Sequence, residues 1–324
     1  MVHQKAGTGK TIAKIPAKKN DKRKNNYPWL FLVLLIIFVA TFTVILYLMF
    51  FSRNEEPPVE VIEESVIEES AYISSEIKEV KPEKIDFQPV VEEWARLVSG
   101  NKSVMIYDLD RDELVGSYNT KEDYDTASLY KLFVVYEGYR RLESGEWRAD
   151  DLVGSTGYTV LECLDLAIRE SYSPCVENLW AEIGHDELNK IIETDFRITD
   201  SEISVLISNP EDITKMMKLF YEHPDVKNET LVARMKDSFL NQPKTEYNWR
   251  QGLPSGFSDA ANVYDKVGWE FNENENYWNI YHDAAIVEFP EKDRHFIVVV
   301  MTNKVSYQQI RKLGTMIEKE FNKY

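Results

Sequence analysis

The sequence predicts an α+β domain, in which strands from both ends of the domain form one antiparallel sheet and a central block of helices packs against it. Strand-like segments lie at residues 103–107 and 113–118, and again at residues 262–269, 283–289 and 295–301. Mostly helical patterns fill residues 128–240 between them. A third observation, an uncharged apolar run at residues 28–51, adds one transmembrane helix before the domain.

The chain of 324 residues divides into four segments by composition. These are a basic tail at residues 1–27, the apolar run at 28–51, an acidic stalk at 52–85 and a globular domain at 86–324. The tail holds eight lysine or arginine residues and one acid, which predicts a cytoplasmic N-terminus. No small-residue cleavage site follows the apolar run, so the sequence favours a permanent single-pass anchor over a cleaved signal peptide. We therefore expect the globular domain outside the cell.

The charge distribution bears on the partners. The formal net charge is −17, although the tail is basic, so the domain and stalk are strongly acidic. This argues against nucleic acid, whose phosphates are bound by lysine and arginine. The tail can contact anionic lipid or serve only as a topology signal. Like charges should keep the Glu-rich stalk extended, and the alternative is a short helix that forms with a partner.

Two cysteines, Cys163 and Cys175, are the only ones in the chain. They lie on two predicted consecutive helices outside the membrane, where disulfides persist. They could form a disulfide or remain as two buried free thiols. No cluster of His, Cys and acidic residues has metal-ligand spacing, so the sequence predicts no metal and no cofactor.

Ser128 and Lys131 are the first candidates for chemistry. Residues three apart on a helix share a face, so the lysine amine can lie over the serine oxygen. An alcohol needs a base to attack a carbonyl carbon at neutral pH, and a lysine can serve if burial lowers its pKa. The apolar residues 132–135 that follow predict such burial.

Two further motifs follow in the chain. Ser171-Tyr172-Ser173 lies in a predicted loop between helices, and Lys266-Val267-Gly268 lies on a predicted strand. With Ser128-Leu129-Tyr130-Lys131 they make residues 86–324 resemble the class A β-lactamases and penicillin-binding serine hydrolases, whose motifs are S-x-x-K, S-D-N and K-T-G in that order. Residues 171–177 also resemble the S-x-x-x-C-x-E form found in membrane-anchored β-lactamase-like proteins, and residues 282–287 resemble the family's next strand.

The resemblance implies a role for each matching residue. Ser128 would be the acylated nucleophile, and Lys131 would be its base, directly or through water. Ser171 would pass a proton to the leaving nitrogen, while Lys266 would hold that hydroxyl and attract an anionic group of the substrate. The backbone N–H groups of Ser128 and Trp269 would form the oxyanion hole. The remaining motif positions would contact the substrate: Tyr172, Ser173, Val267 and Gly268.

Three departures from the family pattern shape the functional prediction. Tyr172 and Ser173 replace Asp-Asn, and Val267 replaces a hydroxyl-bearing residue. Residues 193–210 lack the Glu-x-x-Leu-Asn whose glutamate activates the deacylating water, with Glu202 the one weak candidate. We therefore expect Ser128 to be acylated and β-lactam turnover to be slow or absent.

These features predict a membrane-anchored extracytoplasmic serine hydrolase. Its substrate would be a small β-lactam or a cell-wall amide derived from peptidoglycan. One alternative is a catalytically impaired module that binds or senses muropeptides or β-lactams. Another is an extracellular scaffold of a cell-envelope complex.

Overall fold

The computed structural model describes residues 81–240, 249–272 and 277–324, all within one compact unit, Glu79–Tyr324. Over these ranges no helix is both long and apolar enough to cross a membrane. The predicted tail and span, and nearly all of the predicted stalk, lie outside the described residues. They remain predictions.

An antiparallel sheet forms the centre of the domain. Within the described residues it has five strands, in the order β2-β1-β7-β6-β5. Their bounds are β1 (Asn101–Asp108), β2 (Glu113–Tyr118), β5 (Asn262–Asn272), β6 (Tyr277–Phe289) and β7 (Arg294–Asn303). Strands β1 and β2 come from the start of the domain, and β5, β6 and β7 come from its end. The pairing of β1 with β7, over the full length of β1, joins the two groups into one sheet. This confirms the predicted α+β class and the predicted origin of the sheet.

Helices cover both faces of the sheet. The described helices are α1 (Gln88–Leu97), α2 (Lys131–Ser144), α3 (Val160–Arg169), α4 (Ser173–Ile183), α5 (His185–Thr194), α6 (Pro210–Glu222), α7 (Glu229–Leu240) and α8 (Tyr307–Phe321). The first core lies between the sheet and α2 to α7, and the second lies between the sheet and helices α1 and α8. Strand β7 serves both cores, because Ile297, Val299 and Met301 face the first while Val298 and Val300 face the second.

The helical block differs from the sequence prediction at one important boundary. The predicted helix from Ser128 starts as a 3₁₀ turn, Ala127–Tyr130, and α2 begins only at Lys131. The other predicted helices and strands are present, with ends shifted by a few residues. A two-stranded sheet of β3 (Tyr124–Asp125) and β4 (Ile207–Ser208) was not predicted, since two residues carry no periodic pattern.

A disulfide joins Cys163 on α3 to Cys175 on α4. Both residues are fully buried. The sequence left free thiols open as an alternative, and the structure has the bonded form. Because the bond connects the two helices on either side of residues 170–172, it restrains the loop that carries Ser171.

Candidate active site

Ser128 lies half-buried in the 3₁₀ turn, held by the short segment before it. The N–H group of Thr126 donates to the Leu206 carbonyl at 2.7 Å, and that of Ala127 donates to Asp125 Oδ1 at 2.8 Å. Ala127 has a φ of 42°, in the left-handed region that costs free energy for a residue with a side chain. The surrounding hydrogen bonds therefore hold the turn in a conformation that the chain alone would avoid.

A buried histidine supports the same segment from the sheet. His282 Nδ1 accepts from the Thr302 N–H group at 2.9 Å, so the ring proton lies on Nε2, 2.7 Å from the carbonyl oxygen of Asp125. Burial lowers the pKa of His282 to about 4. The ring is therefore neutral near pH 7 and works as a fixed donor to the turn before Ser128.

The Lys131 side chain extends from the first residue of α2 toward Ser171 and Ser173. Its Nζ atom lies 2.5 Å from the Ser171 carbonyl oxygen, 3.1 Å from Ser171 Oγ and 2.9 Å from Ser173 Oγ. An ammonium group has three hydrogens, and these three bonds use all of them. Within the described part of the chain, no hydrogen bond joins Lys131 to the Ser128 hydroxyl, in contrast to the predicted pairing.

A second amine reaches the same loop from the sheet. Lys266 Nζ on β5 donates to Ser171 Oγ at 3.0 Å and to the Val267 carbonyl at 2.7 Å. Both lysines are about 1% exposed. Ser171 Oγ thus receives one amine from a helix and one from a strand. The fold brings Lys131, Ser171 and Lys266 together as the sequence predicts.

Burial changes the protonation of both amines. Burial lowers the pKa of Lys131 to about 8, with Glu177 opposing it. Burial and the neighbouring charge of Lys131 hold the pKa of Lys266 well below its usual value, against the raising effect of Asp265 and Asp283. Two buried ammonium groups on one hydroxyl repel each other, so near pH 7 the site favours one of them losing its proton.

Gly268 places β5 directly against the Ser128 turn. A Cβ atom at Gly268 would lie 2.9 Å from the Thr126 carbonyl oxygen and 3.1 Å from Leu129 Cγ. Only a residue without a side chain permits this approach. The Lys-x-Gly motif therefore puts Lys266 on the same side of the domain as the turn that carries Ser128.

A family model described as the beta-lactamase enzyme family matches residues 88–321. The chain belongs to this family. The match extends from α1 to the end of α8 and includes every element that contributes to the lysine and serine cluster.

Solved structures share the fold at low sequence identity. A class A β-lactamase from Bacteroides cellulosilyticus is 14% identical, with 74% of this chain and 99% of that chain covered and a TM-score of 0.63. The protein PBP-A is 16% identical, with coverage of 76% and 100% and a TM-score of 0.63. A β-lactamase from Xanthomonas campestris is 12% identical, with coverage of 72% and 96% and a TM-score of 0.61. No curated protein matches the chain.

The side chains of the remaining motif residues lie in different surroundings, and only some of them reach the lysine and serine cluster. Ser173 bonds Lys131, and the exposed Tyr172 ring packs against Tyr158 with ring centroids 5.9 Å apart. Val267 is 2% exposed and lies in the second core, because side chains alternate along β5 and Lys266 takes the face toward Ser171. The structure therefore does not bring the Val267 side chain to the cluster. Trp269 is half-buried two residues further along β5.

Among the described residues, no acidic side chain of the segment before α6 bonds either lysine of the cluster. Asp195 pairs with Arg140, and Asp212, on α6 itself, accepts from Ser201. Glu202 is exposed and its described hydrogen bond is with Ser204. That residues 193–210 lack the water-activating glutamate of efficient β-lactamases stays a prediction from the sequence.

Two residues near the cluster received no role from the sequence. His282 was noted only as part of a strand, and nothing in its spacing predicts a bond to Asp125. Glu177 was noted only as the end of a motif, although it lies four residues after Ser173 on α4. That helical spacing is a signal that places both on one face.

Proposed function

We propose that this protein is a membrane-anchored extracytoplasmic serine hydrolase that acts through an acyl-enzyme on Ser128. The observation that carries the proposal is the cluster of two buried lysines on the Ser171 hydroxyl, next to the Ser128 turn. Two buried amines are costly for a structure that only needs to fold, so their retention supports a catalytic use. Membership of the beta-lactamase enzyme family supports the same reaction class.

In the proposed mechanism, Lys131 acts in its neutral form. Losing one proton frees a lone pair, which accepts the Ser128 proton directly or through water while the serine oxygen attacks the carbonyl carbon. The backbone N–H groups of Ser128 and Trp269 would stabilise the tetrahedral oxyanion. Ser171 then gives its proton to the leaving nitrogen as the carbon–nitrogen bond breaks, and it regains a proton from a lysine. The product is an ester on Ser128 and a free amine.

The proposed substrates are β-lactams or cell-wall amides derived from peptidoglycan. The solved structures that share the fold include β-lactamases and PBP-A, which supports the reacting amide class. Lys266 in its protonated form would attract an anionic group of the substrate. The exposed rings of Tyr158 and Tyr172 beside Ser171 offer an apolar surface for the rest of it.

The proposal includes slow hydrolysis of the acyl-enzyme. Its support is that residues 193–210 lack the family's Glu-x-x-Leu-Asn and that no acid among them bonds Lys131 in the described structure. An acylated Ser128 should therefore accumulate. Deacylation, and not acylation, should limit turnover of a β-lactam.

The test uses the full chain with a fluorescent penicillin and, separately, a fluorophosphonate. We expect one or both to label the protein, and Ser128→Ala to abolish the labelling. Ser144→Ala, an exposed serine at the end of α2, is the matched control and should label normally. Labelling that persists in Ser128→Ala would overturn the assignment of the nucleophile.

The second candidate function is a binding or sensing module for muropeptides or β-lactams. Ser173 favours it, because its hydroxyl bonds Lys131 where the family has an asparagine that contacts the substrate amide. The same labelling decides between the two. Binding of penicillin without any Ser128-dependent adduct from either probe would support the module and end the enzymatic proposal.

Anchoring through residues 28–51 is also a proposal. Its support is the uncharged apolar run and the basic tail before it. The full chain should stay with membranes after extraction at alkaline pH, and a chain without residues 1–51 should be released. Release of the full chain would contradict a membrane span.

A further inference from the structure

Hydrolysis of an acyl-serine needs a group that removes a proton from the attacking water. Residues 193–210 lack the family's water-activating motif, whereas α4, which contacts Lys131 through Ser173, carries an exposed carboxylate. We propose that Glu177 on α4 is the general base that activates the water in this slow deacylation, from a different element than the family's usual glutamate, an inference that rests on the proposed acyl-enzyme function.

The position of Glu177 on α4 carries the argument. Ser173 is the first residue of α4 and its hydroxyl lies 2.9 Å from Lys131 Nζ. Glu177 follows four residues later, so the two Cβ atoms lie on the same helix face about 6 Å apart. Long side chains on a helix lean toward its N-terminus, which brings the Glu177 carboxylate back over Ser173. In the proposal, a single water held by this carboxylate attacks the acyl carbon on Ser128.

The effects of the Glu177 charge on Lys131 and Tyr130 agree with a carboxylate on the Ser173 face of α4. Burial lowers the pKa of Lys131, and the negative charge of Glu177 opposes that effect. Burial raises the pKa of Tyr130 to about 12, and Glu177 adds to it. The charge of Glu177 thus acts on one residue of the Ser128 turn and on the first residue of α2, in agreement with its place on the Ser173 face of α4. Its exposure gives it access to water.

The proposed step is balanced as ordinary ester hydrolysis. Glu177 accepts one proton from water as the water oxygen bonds to the acyl carbon. The bond between that carbon and Ser128 Oγ then breaks, and the proton taken by Glu177 passes through Lys131 to the serine oxygen. Glu177 and Lys131 thereby return to their starting protonation. The products are a carboxylic acid and the free enzyme.

The test measures acylation and deacylation separately on the full chain. Labelling with a fluorescent penicillin gives the acylation rate, and loss of label after removal of free penicillin gives the deacylation rate. In Glu177→Gln we expect deacylation to slow by about 100-fold or more while acylation stays within about threefold, because only the second step uses the base. Normal acylation also shows that the variant is folded.

Two control variants make the result specific. Glu182→Gln changes an exposed glutamate further along α4 and should leave both rates unchanged. Glu202→Gln tests the acid of the segment before α6 and should also leave deacylation unchanged. The inference is overturned if Glu177→Gln deacylates at the wild-type rate, if Glu202→Gln is the slow variant, or if the wild-type adduct never hydrolyses. Absence of any Ser128 adduct would instead refute the proposed function.

Discussion

The Nζ atom of Lys266 lies 3.0 Å from the Oγ atom of Ser171, although the two residues are 95 positions apart in the chain. The same hydroxyl receives Lys131 at 3.1 Å. A strand and a helix thus hold one small alcohol between two amines. Because only one of the two amines is favoured to lose its proton near pH 7, Ser171 keeps a proton source beside it, which is what a proton relay to a leaving group requires.

The rate of Ser128 labelling should depend on the protonation of Lys131. Burial lowers the pKa of this lysine to about 8, and only the neutral amine can accept a proton. We expect the labelling rate of the full chain to rise with pH through about 8 and then to level off. The measurement is the rate of penicillin labelling from about pH 6 to about pH 10.

Lys131→Arg is the control for this pH dependence. Arginine keeps the positive charge but does not give up its proton in proteins. Labelling should fall by about 100-fold or more at every pH, the range expected when a general base is lost. A wild-type rate that does not change with pH, or an arginine variant that labels normally, would contradict the role of Lys131 as base.

Gly268→Ala should disturb the Ser128 turn. Its new methyl group would meet the Thr126 carbonyl oxygen at 2.9 Å, and backbone atoms cannot yield easily. We expect a loss of about 1 to 3 kcal/mol in the free energy of unfolding, as for other overpacked sites, together with slower labelling. Urea unfolding and labelling rates measure the two effects.

Gly145→Ala is the control that separates a loss of stability from a change at the Ser128 turn. Gly145 ends α2 with a φ of 76° and open space around it, so alanine should cost about 1 kcal/mol through backbone strain alone. It lies about 20 Å along the helix from Lys131, so labelling should not change. If Gly268→Ala labelled as fast as Gly145→Ala, β5 would not set the position of Ser128.

Val267→Thr should not restore the family's substrate contact. The Val267 side chain lies in the second core, so a hydroxyl there would lack water, and burial of such a group costs about 1 to 3 kcal/mol. The free energy of unfolding should fall by that amount with labelling unchanged. Val205→Thr, at a site 56% exposed, is the matched control and should stay within about 0.5 kcal/mol of wild type. Faster labelling by Val267→Thr would mean that this side chain reaches the substrate.

His282 should make the protein sensitive to mild acid. Burial lowers its pKa from 6.5 to about 4, so between these values the unfolded chain binds a proton that the folded chain does not. Stability from this residue is therefore fully present above about pH 6.5 and is lost as pH falls, by about 2 kcal/mol at about pH 5.

His282→Gln removes this titration. The variant should be less stable at pH 7 because hydrogen bonds to Asp125 and Thr302 change, and its stability should fall less steeply than that of wild type toward pH 5. Urea unfolding of both proteins at each pH measures the difference, and acidic residues common to both cancel. Equal slopes would show that His282 is already charged in the folded protein.

Part of the site could be predicted because its chemistry is written in residue types and order. Ser128, Lys131, Ser171 and Lys266 each lie in a short motif. The helix predicted after Ser128, the loop predicted at Ser171 and the strand predicted at Lys266 are present, although the first turn of that helix is 3₁₀. The side of the strand taken by Val267 also follows from alternation with Lys266, although the motif alone suggested a substrate contact.

Other features depend on contacts that no local pattern encodes. His282 bonds Asp125 across 157 positions in the chain. The 3₁₀ turn at Ser128 depends on the pairing of β3 with β4, which are too short to show a period. The direction of the three Lys131 hydrogens depends on where the Ser171 loop lies, and that is a property of the packed helices.

The buried bond between Cys163 and Cys175 has a practical consequence for anyone who produces this protein. Synthesis in a reducing cytosol should yield a chain with two thiols, in which α3 and α4 are no longer tied together. Such material could fold and yet show poor reactivity, so a negative assay on it would say little. Export to an oxidising compartment during expression is the appropriate route.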